Sequence, residues 1–143
     1  MTTIARSALV MYSAEQMFNL VNDIKRYPEF LQGCQAADVL KEDDELIEAT
    51  LTLTKAGVHQ SFTTRNHLIR PKQMEMTLID GPFNKFHGVW RFQALSPEAC
   101  KVSLDMEFEM SNFIKGAAVG ALFKQMTGVM VDAFVSRAKE IYG

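Results

Sequence analysis

The sequence predicts an α+β fold in which a curved antiparallel sheet of about seven strands wraps around one long C-terminal helix, with two short helices after the first strand. Two observations predict it. Between residues 34 and 110, apolar and polar residues alternate with period two in segments that short turns separate, as in an antiparallel meander. Over residues 113–142 the spacing is helical, and a polar stripe recurs at Gln125, Asp132, Ser136 and Lys139. Residues 3–10 form the expected first strand.

The two short helices are predicted by local signals. Ser13 and Gln16 have the spacing of a capping box, so a helix is expected to begin after Ser13 and to end near Asn22 or the following residue. A second helical turn is expected at residues 24–27, because Pro28 disfavours helical geometry for the residue before it.

The predicted sheet has one apolar face. In its last strand Val102, Leu104, Met106, Phe108 and Met110 alternate with polar and charged residues. An apolar sheet face must be buried against another element, and the C-terminal helix is the expected cover. The space between the sheet and this helix is either a packed core or a ligand cavity.

The composition fits a single domain, residues 1–143, since 48% of the residues are hydrophobic and 22% are charged. The net charge of −2 lacks the basic surplus of a protein that holds DNA through its phosphates. Cys34 and Cys100 lack CxxC spacing, which predicts two buried free thiols. Neither a signal peptide nor a run of about 18 apolar residues is visible, which predicts a cytoplasmic protein.

Short stretches spread over nearly the whole chain resemble those of one family. They are residues 6–10, 12–17, 21–24, 27–31, 55–57, 62–66, 80–83, 90–92 and 137–140. In this order they are similar to the coenzyme Q-binding and ribosome-association-toxin family of START-like domains, to which the polyketide cyclase/dehydrase domains are related. The resemblance implies the helix-grip fold. Met11 and Gln32 stand where that family commonly has proline.

The resemblance implies two different activities. One is the binding of a hydrophobic ligand, ubiquinone or a related isoprenoid lipid, by a carrier or chaperone that supports respiration. The other is that of a toxin that binds the large (50S) ribosomal subunit and blocks subunit joining. The fold itself does not choose between them, and the hydrophobic ligand is the first hypothesis.

A ligand cavity would be lined by the apolar side chains that face inward. These are Leu51, Leu53, Phe62, Met76, Leu78, Trp90, Phe92, Leu104, Met106, Phe108, Phe123, Met126 and Met130. The methionines among them are flexible and suit a varied lipid. The alternative is that the same residues form an ordinary core. Near them, Tyr27, Pro28, Phe30 and Leu31 form either a hydrophobic plug at the junction of helix and sheet or a gate to the cavity.

Two surface features bear on the choice of partner. Arg65, Arg70, Lys72, Lys85 and Arg91 are candidates for contact with ribosomal RNA, with ordinary surface charge as the alternative. The small residues at 116–121 permit close passage of the helix over the sheet, with transient membrane contact as the alternative.

No catalytic or metal-binding constellation is visible. His59, His67 and His87 are scattered, so no metal site is predicted. No serine or cysteine has a recognisable base as its partner, and no glycine-rich phosphate loop is present. The sequence therefore predicts a binding protein without a cofactor, not an enzyme.

Overall fold

The computed structural model of the protein describes residues 2–55, 57–111 and 116–143. Within them the chain forms β1 (Thr2–Val10), α1 (Ala14–Asn22), a 3₁₀ helix (Ile24–Glu29), β2 (Cys34–Glu42), β3 (Leu46–Lys55), β4 (Val58–Ile69), β5 (Gln73–Asp80), β6 (Phe83–Ser96), β7 (Ala99–Met110) and α2 (Gly116–Tyr142). This order confirms the predicted α+β helix-grip fold. The predicted first residues of the last helix, 113–115, lie outside the described residues.

The strands form one antiparallel sheet in the order β1-β7-β6-β5-β4-β3-β2. Strands β2 to β7 follow one another as a meander, because short turns join antiparallel neighbours. Strand β1 lies against β7, with Ile4 opposite Met106 and Val10 opposite Cys100. Helix α1 and the 3₁₀ helix therefore form the connection between the two edge strands, β1 and β2.

Helix α1 begins where the capping box predicts. Ser13 Oγ accepts a hydrogen bond from the Gln16 backbone N–H at 3.0 Å, and Gln16 Oε1 accepts one from the Ser13 N–H at 2.9 Å. The 3₁₀ helix ends at Glu29, so the predicted end at Tyr27 is wrong. The reason is that the fixed φ of Pro28 is compatible with 3₁₀ geometry.

Helix α2 covers the inner face of the sheet. Its side chains Phe123, Met126, Met130 and Phe134 are buried, whereas Gln125, Asp132, Ser136 and Lys139 are exposed, as the polar stripe predicts. At Gly120 an added Cβ would lie 3.3 Å from Met110 Cγ. The small residue therefore lets the helix pass close over the end of β7.

Residues 118–142 of α2 are long and apolar enough to cross a membrane by length and composition, although no continuous apolar run marks them in the sequence. In this fold one side of the helix packs against the sheet, where Phe134 and Ala138 are fully buried. The apolar character of α2 is that of a core helix.

The two cysteines are buried and free, as predicted. Burial raises the pKa of the Cys34 thiol to about 11 and raises the pKa of Cys100 above its usual value. Both side chains are therefore protonated thiols near neutral pH, which is the unreactive form.

Candidate functional site

The space between the sheet and α2 is filled largely by aromatic rings. Phe123 of α2 lies at the centre of one cluster, where its ring centroid is 4.7 Å from Phe108, 4.9 Å from Phe83 and 5.3 Å from Phe62. These three contacts are edge-to-face, the arrangement that aromatic quadrupoles favour. This part of the interior is therefore a packed core.

A small cavity of about 30 Å³ remains beside this cluster. It is lined by Ile24, Tyr27, Ala49, Leu51, Phe62, Thr64, Asn66, Met76, Phe86, Trp90, Met106, Phe123, Met126, Thr127 and Met130. Pockets that enclose a drug-sized ligand have about 300–1,000 Å³. In this conformation the cavity has about a tenth of the volume of the smallest such pockets.

The structure divides the predicted cavity residues into two groups. Leu51, Phe62, Met76, Trp90, Met106, Phe123, Met126 and Met130 line the cavity, whereas Leu53, Leu78, Phe92, Leu104 and Phe108 do not. Phe92 stacks on Trp90 with a centroid distance of 6.2 Å and meets Phe18 edge-on. Leu104 is fully buried opposite Trp90. These residues face inward but fill the core beside the cavity.

Three polar side chains line the cavity that sequence-based prediction missed as site residues. Thr64 Oγ1 donates to Asn66 Oδ1 at 3.0 Å, and Asn66 Nδ2 donates to Met74 Sδ at 3.8 Å. Thr127 Oγ1 donates to the Phe123 carbonyl at 2.9 Å. The period-two pattern of β4 places Thr64 and Asn66 on its inward face, and this was the available signal.

Two methionines occupy the volume beside the cavity. At Gly88 of β6 an added Cβ would lie 2.6 Å from Met76 Cε and 2.9 Å from Met106 Cε. The absence of a side chain at Gly88 therefore lets both thioethers lie across β6. Because methionine has three rotatable side-chain bonds, these two residues are the part of the wall best able to rearrange.

The segment predicted as a gate or a plug is packed in place. Tyr27 and Leu31 are buried, Phe30 is half-buried and Pro28 is exposed. The Tyr27 hydroxyl donates a hydrogen bond to the Val21 carbonyl, and burial raises the pKa of this phenol well above its usual range. Since Tyr27 also lines the cavity, the segment has the geometry of a plug.

Arg137 of α2 ties this plug to the core helix. Its Nη2 lies 2.7 Å from Glu29 Oε1, and its guanidinium carbon lies 5.0 Å from the centroid of the Phe30 ring. The Arg137 side chain is only 11% exposed. A partly buried ion pair combined with a cation–π contact favours arginine over lysine at this position.

The five basic residues predicted as an RNA contact do not form one patch. Arg65 is paired with Glu48 at 3.1 Å, and Lys85 is next to Glu109 of β7. The Arg70 guanidinium lies over the ring of Phe18, 5.2 Å from its centroid. Of the five, Lys72 and Arg91 line the same surface groove.

This groove has a volume of about 920 Å³ and crosses β1, β7, β6 and the turn between β4 and β5. It is lined by Ala5, Arg6, Ser7, Ala14, Ile69, Pro71, Lys72, Gln73, Arg91, Phe92, Gln93, Ala94, Lys101, Ser103 and Asp105. Arg6 and Lys101 are basic residues that sequence-based prediction missed. Lys101 is brought beside Arg91 by the pairing of β6 with β7.

The residues that the structure describes provide few side chains arranged for acid–base or metal chemistry. No group of three or more His, Cys, Asp or Glu side chains converges there. His87 Nε2 lies 2.9 Å from Glu75 Oε2, but both side chains are nearly half exposed. Among the described residues that line the cavity, Tyr27 is the ionisable one. The interior can enclose a small apolar or weakly polar group.

An antiparallel sheet closed by a long helix, with a small apolar cavity between them, defines a START-like domain. The family model for polyketide cyclase/dehydrase and lipid transport matches residues 10–135. The chain belongs to this family.

Two relatives indicate where the chain lies within the family. It is 50% identical over 142 residues to "Ribosome association toxin RatA" of Pseudomonas aeruginosa, with 99% of each chain covered. It is 28% identical over 143 residues to "Coenzyme Q-binding protein COQ10 homolog B, mitochondrial" of Xenopus laevis, with 97% of this chain and 59% of that protein covered. Neither name is that of an enzyme, and both agree with the resemblance noted in the sequence.

The fold is also that of a solved structure of an enzyme. The Zhui aromatase/cyclase from a Streptomyces species matches with a TM-score of 0.80 at 15% identity, and 99% of this chain and 96% of that chain are covered. At this level of identity the likeness concerns the fold alone, because one fold hosts many activities.

Proposed function

We propose that this protein is a ribosome association toxin: a cytoplasmic binding protein, without a cofactor, that binds the large ribosomal subunit and hinders its joining with the small subunit. The observation that carries the proposal is the 50% identity over the full chain with the P. aeruginosa protein of that name. The relative named as a coenzyme Q-binding protein is 28% identical.

The geometry favours an activity of the protein surface. The cavity of about 30 Å³ is far smaller than a ligand pocket, whereas the groove on the outside of the sheet has about 920 Å³. The groove carries Lys72, Arg91 and Lys101. Binding to a ribosome depends largely on exposed lysine and arginine side chains that contact phosphates, and it needs no interior cavity.

A subunit-joining assay tests this proposal. Isolated large and small subunits are mixed in a magnesium buffer after the large subunits have been incubated with increasing amounts of the protein. Light scattering and sucrose gradients then give the fraction of joined ribosomes. We expect this fraction to fall and the protein to migrate with the large-subunit peak. A gradient of small subunits alone, on which the protein should stay at the top, is the control.

An unchanged joined fraction at saturating protein, with no protein in the large-subunit peak, would contradict this function.

A second candidate function is the binding of ubiquinone or another isoprenoid lipid, collected through transient contact with a membrane. The observation that favours it is the position of the cavity between sheet and helix, with a wall that includes Met76, Met106, Met126 and Met130. Rotation of these side chains would enlarge the cavity. The amide of Asn66, which lines the cavity, has N–H groups that can donate to a quinone carbonyl.

Mass spectrometry of an organic extract tests this second function. The protein is purified from a quinone-producing bacterial host and compared with a variant that carries Thr64→Val and Asn66→Leu, which replaces a hydrogen-bonded pair with apolar groups of similar shape. We expect an isoprenoid quinone in the wild-type extract and less in that of the variant. A wild-type extract without isoprenoid would contradict this second function and leave the first in place.

A further inference from the structure

Strand pairing sorts the side chains on the outer face of the sheet into rows. Residues directly opposite each other in neighbouring strands point to the same face. One row runs through Ser7, Ser103, Arg91 and Gln73, from β1 across β7 and β6 to β5. The next row contains Leu9, Lys101 and Gln93. Apart from Leu9, all of these residues line the groove of about 920 Å³.

The other end of the same face is acidic. Glu107 lies opposite His87, and Glu109 lies opposite Lys85. Glu75 of β5 pairs with His87 at 2.9 Å. The sheet therefore presents a basic groove at one end of its outer face and carboxylates at the other, and the acidic end would repel a phosphate backbone.

Small residues and basic residues both line the groove. The small residues are Ala5, Ser7 and Ser103, which leave the outer face low at these positions. The charged side chains on its outer-face side are Lys72, Arg91 and Lys101, against the single carboxylate of Asp105. Because the chain as a whole has a net charge of −2, this positive charge is a local concentration.

The cationic groups of the groove are available to an anion. Lys72 and Lys101 are exposed and form no ion pair within the described ranges. Arg6 also borders the groove, but it lies opposite the inward-facing Leu104 and its Nη2 lies 3.9 Å from the Cβ position of Gly128 in α2, so it is not among the cations of the outer face. Arg91 pairs with Asp105 at 3.1 Å, but the two side chains are 52% and 54% exposed. A surface pair of this kind is weak, so a phosphate can compete for the arginine.

We infer that this groove binds the phosphate backbone of ribosomal RNA on the large subunit, an inference that rests on the proposed function. Lys72, Lys101 and Arg91 contact phosphate oxygens, while the hydroxyls of Ser7 and Ser103 and the side-chain amides beside them donate to phosphate and sugar oxygens. Contacts of this type depend on salt rather than on base sequence. Arg65 and Lys85, at the acidic end of the face, take no part.

The experiment measures the affinity of full-length, fluorescently labelled protein for purified large subunits between about 50 and 200 mM salt. The test variant, Lys72→Gln with Lys101→Gln (K72Q/K101Q), removes two unpaired cations from the groove. The matched control, K41Q/K124Q, makes the same change in net charge at exposed lysines of β2 and α2 outside the groove. Circular dichroism verifies that both variants are folded.

We expect K72Q/K101Q to bind at least about tenfold more weakly at about 0.1 M salt, with a slope of log affinity against log salt that is shallower by about 1.5–2. The control should stay within about twofold of the wild type, as expected for charges that contact no phosphate. If the wild type binds and both variants bind alike, the groove inference is wrong and the proposed function stands.

Two other outcomes are also decisive. If the wild type does not bind large subunits, the proposed function fails and the groove inference fails with it. If vesicles that contain phosphatidylglycerol displace the wild type from subunits and poly(U) does not, the groove recognises a lipid headgroup, which overturns the assignment to RNA. Displacement by poly(U), with loss of binding in K72Q/K101Q alone, supports it.

Discussion

Replacement of Phe123 by alanine tests whether the interior is a packed core. The ring of Phe123 is 2% exposed and lies within 6.0 Å of four other rings, those of Phe62, Phe83, Phe86 and Phe108. Its removal leaves a void that the surrounding sheet and helix close only in part, because close-packed interiors relax little. The helix itself persists, since alanine is the strongest helix former.

The expected loss of stability follows from these contacts. Full burial of a phenylalanine contributes about 1.5–3 kcal/mol, and each edge-to-face pair adds about 0.5–1.5 kcal/mol. Phenylalanine-to-alanine changes in cores cost about 3–5 kcal/mol. With four ring partners we expect the upper part of this range, about 4–5 kcal/mol, which lowers the Tm of a chain of this length by about 12–20 °C.

Urea and thermal unfolding, followed by circular dichroism, measure the effect. The matched control on the same helix is Val129→Ala, because Val129 is 44% exposed and its truncation should cost less than about 1 kcal/mol. A loss below about 1 kcal/mol for Phe123→Ala would refute the packed-core interpretation. It would show instead that the ring projects into loosely filled space of the kind a larger ligand needs.

Three further changes test other parts of the structure. Ser13→Ala should cost about 1 kcal/mol in urea unfolding because it removes the cap of α1; no loss would contradict the capping box. Gly88→Ala should lower the free energy of unfolding by about 1–3 kcal/mol, because the added Cβ overpacks against Met76. Adding Met76→Ala to this variant should recover part of the loss. Strictly additive losses from the two changes would argue against contact between the two positions. The free energy of unfolding should fall as pH rises from 9.0 towards about 11, because the pKa of the Cys34 thiol is 9.0 in the unfolded chain and about 11 in the folded one. An equal fall in Cys34→Ala would exclude this thiol as the source.

The strands could be predicted where alternation is uninterrupted. Strand β7 alternates over its whole length, and its predicted inward residues Val102, Leu104, Met106 and Phe108 are buried. Strand β6 is harder to predict, because only Phe86, Trp90 and Phe92 mark it in the sequence. The observed strand runs from Phe83 to Ser96 and has register shifts near both ends. Such irregularities break period two, so the ends of the strand leave no periodic signal.

The depth of a side chain could not be predicted in the same way. Leu104 and Met106 lie on the same face of β7, yet Met106 lines the cavity and Leu104 does not. Alternation determines the face of the sheet, whereas the curvature of the sheet and the path of α2 determine which residues border free space. Asn66 shows a second limit. Alternation in β4 places it on the inward face, but only apolar residues were expected in the wall of the cavity.

The basic groove depends on strand register, which the alternation of apolar and polar residues does not determine. Lys101 of β7 meets β6 opposite Gln93, and Arg91 of β6 lies opposite Gln73 of β5, next to Lys72 in the chain. The sequence therefore identified the basic residue types of the proposed RNA contact. It grouped them on the expectation that neighbouring strands bring them together but without the register of those strands, and so it included Lys85 and omitted Lys101.

The central claim is that the protein acts through its outer surface. The most direct measurement is the subunit-joining assay with two variants side by side: K72Q/K101Q, which alters the groove, and T64V/N66L, which alters the cavity. We expect T64V/N66L to hinder joining as the wild type does and K72Q/K101Q to lose most of this activity. Loss of activity in the cavity variant, with full activity in the groove variant, would contradict the account.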